Sequence, residues 1–134
     1  MTPAMCLAVA MFFEARAEGS DAMRAVGEVV INRVAHEKYP DTVCDVVEDK
    51  CEFSFMCDGK TEKFSAYKDP GDVEAAKIAI EVAEDLLSNK TMMFPENITH
   101  YHATYVTPYW STHKDFEVAG MIGKHIFYTC KNYC

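Results

Sequence analysis

The chain has 134 residues, the size of one domain with a substantial core, and we expect residues 1–134 to form a single domain. Its 13 basic and 21 acidic residues give a formal net charge of −8, which argues against a nucleic-acid partner and against docking on anionic lipid. No segment is long enough to cross a bilayer, and residues 3–13 lack the basic start and cleavage site of a secretory signal.

The first predicted element is a helix that begins at Pro3 and carries Glu14 near its end. Thr2 is a suitable N-cap, Pro3 suits the first helical position, and Gly19 suits the end. Glu14 follows the apolar residues 11–13, so apolar side chains border this carboxyl group whichever way the helix faces.

Three effects are expected to raise the pKa of Glu14. These are burial, the negative end of the helix dipole, and the like charge of Glu18 one turn further on. A glutamic acid that keeps its proton near neutral pH is what cleavage of a glycosidic bond requires. The alternative is a solvated turn in which Glu14, Arg16 and Glu18 form local ion pairs.

Two further helices are predicted before residue 50. Ser20 is expected to cap a helix that runs to about Glu37, and Thr42 a short one that ends near Val47. Asn32 is unfavourable in the middle of a helix, so its side chain is expected to make a hydrogen bond. The apolar stripe of the longer helix consists of Met23, Val26, Val30 and Val34.

The middle of the chain is predicted to contain one strand and one long helix. Residues 51–56 alternate as a short strand does, a turn follows at 58–59, and residues 60–69 are polar and read as loop. Pro70 opens a helix that ends near Asn89. Its core-facing stripe is predicted to be Val73, Ala76, Ile80, Ala83 and Leu87.

The last third is rich in β-branched and aromatic residues. Residues 98–104 and 125–129 are predicted to be strands, with an aromatic loop over 105–110 between them. Helices followed by a small sheet indicate an α+β fold that is mostly α. Phe127 is expected to fill the core.

Aromatic and histidine side chains in this third are candidates for binding sugars, which stack on rings and accept hydrogen bonds. Tyr101 and Trp110 are the leading aromatic candidates, and His102 and Ser54 are polar candidates for a cleft. Ordinary packing is the competing interpretation for each of them. His100 and His102 would share one face of a strand.

Those histidines, with His113 and His125, could also bind zinc, but no His-Glu-x-x-His motif accompanies them. We therefore expect neither a metal nor another cofactor. A zinc amidase that cuts peptide stems through His102, His113 or His125 stays open as an alternative.

Six cysteines in a short chain indicate disulfides and an oxidising environment. Six cysteines allow fifteen pairings, among which sequence cannot choose. A bridge within Cys44, Cys51 and Cys57 is plausible, and Cys130 and Cys134 could anchor the tail. Zinc binding and reduced, buried thiols are the alternatives.

Blocks spread in order over nearly the whole chain resemble the spore-cortex-lytic (SleB/CwlJ-like) cell wall hydrolases. They are FEARAEG at 13–19, VGEVVINRV at 26–34, YPDTVC at 39–44, CEFSF at 51–55, CDG at 57–59, THYHA at 99–103, PYW at 108–110 and IGKHIFY at 122–128. Each block alone is weakly specific, whereas the ordered set is quite specific.

The resemblance implies a lysozyme-like or lytic-transglycosylase-like fold with a small antiparallel sheet. It implies cleavage of peptidoglycan between N-acetylmuramic acid and N-acetylglucosamine, with Glu14 as the catalytic glutamate. The substrate-binding positions that it implies are Phe53, Ser54, Tyr101, His102, Trp110 and His125. We lean towards lytic transglycosylation, which needs one acid/base, over hydrolysis with two carboxylates, in which Glu18 would be the second.

Two features depart from the family pattern. Ala17 stands where the family often has glycine, and neither a secretion signal nor a wall-binding module is evident. This compact form resembles a phage endolysin. We expect a monomer that is made in the cytoplasm, released by a separate membrane-permeabilising protein, and active in the periplasm or cell wall.

Overall fold

The structure, a computed structural model, describes residues 1–49, 64–89, 92–95 and 97–131. Helices precede strands along the chain, which confirms the predicted α+β fold that is mostly α. The elements are α1 (Pro3–Ala15), α2 (Ser20–Val34), α3 (Val43–Glu48), α4 (Pro70–Asn89), β1 (Ile98–Ala103), β2 (Phe116–Ile122) and β3 (His125–Cys130). The strand predicted at 51–56 lies outside the described residues.

Helix α1 is the centre of the helical layer. It begins as predicted, since the Thr2 hydroxyl accepts a hydrogen bond from the Met5 N–H at 3.2 Å. Its middle is buried on all sides, as expected of a helix that is apolar all round, and it packs against α2, α3 and α4. The helix ends at Ala15 and a 3-10 turn over Arg16–Glu18 follows, so Glu14 lies in its last turn.

Helix α2 begins and ends differently from the prediction. Ser20 is its first residue and makes no capping bond, while Gly19 takes the cap position with φ +95°. Such a φ favours glycine because a side chain would be strained there. The helix ends at Val34 and not near Glu37.

The buried stripe of α4 is rotated from the predicted one. The buried residues are Ala75, Ala79, Ala83 and Leu86, of which only Ala83 was predicted. Of the other predicted residues, Ala76, Ile80 and Leu87 are partly buried against the core, whereas Val73 is 40% exposed. Small side chains let α4 approach α1 and α2 closely, and this contact prevails over the pattern of larger residues. At the crossing, a methyl group on Gly27 would lie 2.8 Å from both Leu86 Cδ1 and Met11 Sδ.

The sheet is antiparallel with the strand order β1-β3-β2, and β2 was absent from the prediction. Ile122 pairs with His125, so only Gly123 and Lys124 form the turn between β2 and β3. Phe127 on the central strand is fully buried, as predicted.

Two polar side chains of α2 fix the chain that leads into β1. The Glu28 carboxylate accepts hydrogen bonds from the backbone N–H groups of residues 93–94, at 2.8–2.9 Å. Asn32 donates to the Ile98 carbonyl at 2.9 Å, which confirms the hydrogen bond predicted for it. The sheet is thereby held against the helices.

A disulfide between Cys6 and Cys44 joins α1 to the start of α3. It closes a loop with a sequence separation of 38, which in the chain-entropy account is worth about 4 kcal/mol. The partner of Cys44 is thus Cys6, and not Cys51 or Cys57 as considered from the sequence. Cys51 and Cys57 lie outside the described residues. Cys130 is also disulfide-bonded.

Candidate active site

A cleft of about 860 Å³ separates the end of α1 from the sheet. The helical side contributes Glu14 and Glu18, and α2 contributes Arg33. The opposite side carries four of the predicted site residues, namely Tyr101, His102, Trp110 and His125. The other two, Phe53 and Ser54, lie outside the described residues.

Glu14 is partly buried at the floor of this cleft. The Tyr101 hydroxyl donates a hydrogen bond to Glu14 Oε1 at 2.6 Å. Burial is the largest effect and raises the pKa of Glu14 above 4.5. The negative charge of Glu18 has a smaller effect in the same direction. The Tyr101 hydrogen bond, His125 and Arg33 oppose this effect only in part. The pKa of this carboxyl group is therefore raised above its ordinary value, in the direction predicted from its apolar flank.

Tyr101 is held rigidly behind Glu14. Its ring stacks on Phe127, with centroids 5.5 Å apart, and lies 5.4 Å from the ring of His125. Burial first, and then the adjacent Glu14, raise the pKa of Tyr101 well above 10.0. The hydroxyl therefore stays a hydrogen-bond donor throughout the range in which a protein functions.

Glu18 is bound to the β2–β3 turn. Its Oε1 accepts a hydrogen bond from the Lys124 backbone N–H, and His125 Nδ1 approaches the same oxygen at 2.9 Å. Gly123, with φ +58°, lies so close that a methyl group there would be 2.6 Å from Glu18 Oε1. The side chain is only 14% exposed. Glu18 thus joins the helical layer to the sheet at one end of the cleft.

Arg16 is paired with α4 and not with its neighbouring glutamates. Its Nε donates to Asp72 at 3.0 Å, and its guanidinium lies 5.1 Å from the ring centres of Phe12 and Tyr67. The solvated turn with local ion pairs among residues 14–18, considered from the sequence, is therefore not what forms.

The far side of β1 carries an aromatic cluster around Trp110. His100 and His102 both contact its ring, at 5.0 and 5.7 Å, so they share one face of the strand as expected. His102 Nδ1 lies 2.7 Å from the Ala103 carbonyl, to which it donates. In the neutral imidazole Nε2 then accepts from the Tyr128 hydroxyl at 2.6 Å.

His100 is electrostatically different from an ordinary histidine. Burial, assisted by the charges of Arg33 and His36, lowers the pKa of His100 to about 4. It is neutral at physiological pH. Arg33 is itself buried, and its Nε donates to the Thr99 carbonyl at 2.9 Å.

The histidines considered for zinc do not come together. His102 is bound to Tyr128, His125 to Glu18, and His113 lies 3.6 Å from the Asp115 carboxylate. Within the described ranges no three His, Cys, Asp or Glu side chains are grouped so that they could hold a metal ion.

Sequence reasoning missed Arg33, Lys124 and Tyr128 as parts of the site. An arginine beside Asn32 in a largely apolar helix was the available signal for Arg33. A glycine followed by one residue between two β-rich segments was the signal for the turn at Lys124. Nothing local distinguishes Tyr128, the partner of His102, from the other aromatic residues of this third.

Comparisons with known proteins identify the fold and the family. The sequence model of the Cell Wall Hydrolase family matches residues 17–128, a segment that begins after Glu14. The catalytic domain of the germination-specific lytic transglycosylase SleB from Bacillus anthracis is similar in structure, with a TM-score of 0.64 and 26% identity over 96% of this chain and 93% of that one. The catalytic domain of Bacillus cereus SleB gives a TM-score of 0.65 and 26% identity over 96% of this chain and 89% of the other.

No curated protein matches the chain significantly. Among the helices that the structure describes, none combines the length and apolarity needed to cross a membrane. The family match covers most of the sequence, and both SleB domains share the arrangement of helices and sheet. The chain is an enzyme of the SleB/CwlJ-like type and belongs to the Cell Wall Hydrolase family.

Proposed function

We propose that the chain cleaves the glycan strand of peptidoglycan between N-acetylmuramic acid and N-acetylglucosamine, as a lytic transglycosylase with Glu14 as its single general acid/base. Membership of the cell wall hydrolase family supports the substrate. The structural likeness to a lytic transglycosylase supports the reaction.

The choice of mechanism rests on one observation, namely that the two carboxylates in the cleft have different surroundings. Glu14 combines a raised pKa with a position on the cleft floor, whereas Glu18 is bound to Lys124 and His125. Among the described residues that line this cleft, these are the only carboxylates. A hydrolase needs a second carboxylate to activate water or to attack the sugar, but a lytic transglycosylase does not.

The reaction then needs two proton transfers at one side chain. Since Oε1 of Glu14 accepts the Tyr101 hydrogen bond, we assign the proton of the acid to Oε2. Glu14 gives this proton to the glycosidic oxygen as the bond to the N-acetylmuramic acid C1 breaks. The resulting carboxylate takes the proton of the 6-hydroxyl of the same sugar as that oxygen bonds to C1. The products are a 1,6-anhydro end and a free hydroxyl.

Two of the residues first considered for substrate binding fit a positioning role better. Tyr101 orients Glu14, and His125 orients Glu18, so their polar atoms are already engaged. Trp110 fits the role of a sugar-contacting residue because its ring lines the cleft, and His102, whose two ring nitrogens are engaged, fits this role only through its ring face. Phe53 and Ser54 remain candidates from sequence.

Mass spectrometry of peptidoglycan digested by the purified chain tests this proposal. We expect fragments that end in 1,6-anhydro-N-acetylmuramic acid. Reducing ends in their place would indicate a hydrolytic muramidase that acts on the same bond. Freed peptides, formed by an activity that a chelator abolishes, would indicate a zinc amidase and would contradict the role of Glu14.

A further inference from the structure

A second, smaller hollow of about 460 Å³ adjoins the cleft. The cleft and this outer hollow share a wall formed by His100, Tyr109 and Trp110. We infer that the outer hollow is a distal binding site for an N-acetylhexosamine of the glycan strand, which runs from the cleft over Tyr109. The inference rests on the proposed function and adds to it a preference for long strands over short ones.

The shared wall is firmly built. Trp110 packs on Phe116 with ring centroids 5.1 Å apart, and a 3-10 turn over Tyr109–Thr112 follows Pro108. The N–H and the hydroxyl of Ser111 both donate to the Pro108 carbonyl, at 3.0 and 2.7 Å. A loop fixed in this way presents its side chains in a defined orientation, which lowers the entropy lost on binding.

Tyr109 is 93% exposed, although it stands next to the partly buried Trp110. Folding therefore gains little from this ring. Single exposed aromatic residues are common, but this one lies at the junction of two hollows, one of which holds Glu14. An exposed ring with a hydroxyl tip offers a pyranose both a flat apolar face and a hydrogen-bonding group.

The remaining wall of the outer hollow suits a neutral sugar. Phe116 supplies an aromatic surface, and His113, Lys114 and Asp115 supply hydrogen-bonding groups. Lys114 and Asp115 carry opposite charges, so no excess of one sign favours an ion. His113 Nδ1 accepts the Asp115 N–H at 3.1 Å, which fixes this edge.

Trp110 allows a direct binding measurement because it is the single tryptophan of the chain and lines both hollows. Peptide-free glycan strands of two and of six sugars, prepared from peptidoglycan, would be titrated into a Glu14→Gln background while Trp110 emission is recorded. We expect Tyr109→Ala to weaken binding of the six-sugar strand about fivefold and of the two-sugar strand less than about twofold.

Tyr105→Ala is the matched control, since Tyr105 is 82% exposed and lines the cleft but not the outer hollow. It should weaken both strands by a similar factor. The inference is overturned if Tyr109→Ala also lowers both affinities equally, if it lowers neither, or if neither strand changes the emission. Cleavage of peptidoglycan by the unmodified chain is measured separately, and its absence would overturn the proposed function itself.

Discussion

The two sides of the cleft differ in how they are built. The helical side is closely packed by small residues, and Gly27 at the contact of α1, α2 and α4 leaves no room for a methyl group. The sheet side is aromatic and partly open, with Tyr109 almost fully exposed at its rim. Long-range hydrogen bonds join the sides, among them those from Tyr101 to Glu14, from the β2–β3 turn to Glu18, and from Arg33 to the Thr99 carbonyl.

This difference suggests separate roles for the two sides of the cleft. Under the proposed mechanism the closely packed helical layer supplies the acid, because burial is the largest cause of the raised pKa of Glu14. The sheet supplies groups that aim the acid and surfaces that suit sugar rings. Changes on the helical side should therefore alter chemistry or stability, and changes on the sheet side should alter orientation and binding.

Glu14→Gln removes the acid and should have the largest effect. We expect the rate of clearing of a peptidoglycan suspension to fall by about 10³-fold, within the range lost with a general acid/base.

The same substitution should change how stability depends on pH. Because burial raises the pKa of Glu14 in the folded state, the contribution of Glu14 to stability is present at low pH and is lost as pH rises through that pKa. The variant should therefore melt at the same or a higher temperature than the parent at pH 7, and this difference should shrink towards pH 4.

Glu84→Gln is the control for this substitution, since Glu84 is exposed on α4 away from the cleft. It should clear peptidoglycan at the parent rate. Parent-rate clearing by Glu14→Gln would remove Glu14 from the mechanism.

Tyr101→Phe tests the hydrogen bond that orients the Glu14 carboxyl group. We expect about a tenfold loss of turnover at the pH optimum, because Oε1 of Glu14 loses its donor. That hydrogen bond also lowers the pKa of Glu14, so its removal should raise the pKa and move the alkaline limb of the pH profile upwards. Tyr105→Phe, at an exposed position of the rim, should leave the limb unchanged. An unmoved or lowered limb in Tyr101→Phe would contradict the assigned role.

Gly27→Ala changes only the helical side. The new methyl group would meet Leu86 and Met11, which are fully buried and have little space to move. Overpacking should outweigh the better helix propensity of alanine, with a net loss of about 1–2 kcal/mol in unfolding free energy. The control is Gly71→Ala, where the new methyl group would lie 4.0 Å from Asp69 Oδ2. Denaturant unfolding measures both, and equal midpoints would show that the packing adapts.

The sequence was sufficient for the helices and for the buried setting that raises the pKa of Glu14, because both depend on local patterns. Caps, apolar periodicity and the flank of Glu14 lie within a few residues of one another. The stripe on α4 was predicted only in part, because its most buried positions depend on how closely two other helices approach, which residues 70–89 do not encode. Strand β2 was missed although Gly123 marks its turn, since its alternation is interrupted near Gly120, where the register shifts.

The hydrogen-bond partners of Glu14 and Glu18 could not be predicted from the sequence for a different reason. Tyr101 was recognised as a cleft residue, but its bond to Glu14 crosses a sequence separation of 87. The contact between Glu18 and the turn crosses 106. Such pairings follow from the docking of the sheet on the helices, so the sequence drew attention to Glu14 and Glu18 but did not predict their partners.

Glu18→Gln should have the smallest effect and decides between the two mechanisms. The amide oxygen of glutamine can still accept the hydrogen bonds of the Lys124 N–H and His125, so the anchor of the turn is kept. If Glu18 only positions the turn, we expect turnover to fall less than about fivefold, whereas Glu18→Ala loses the acceptor and should destabilise the fold by about 1–3 kcal/mol. If Glu18 were the second carboxylate of a hydrolase, Glu18→Gln would be nearly as inactive as Glu14→Gln, and the products would carry reducing ends. Measuring turnover and product ends on the same digests separates a group that holds the cleft together from one that acts on the sugar.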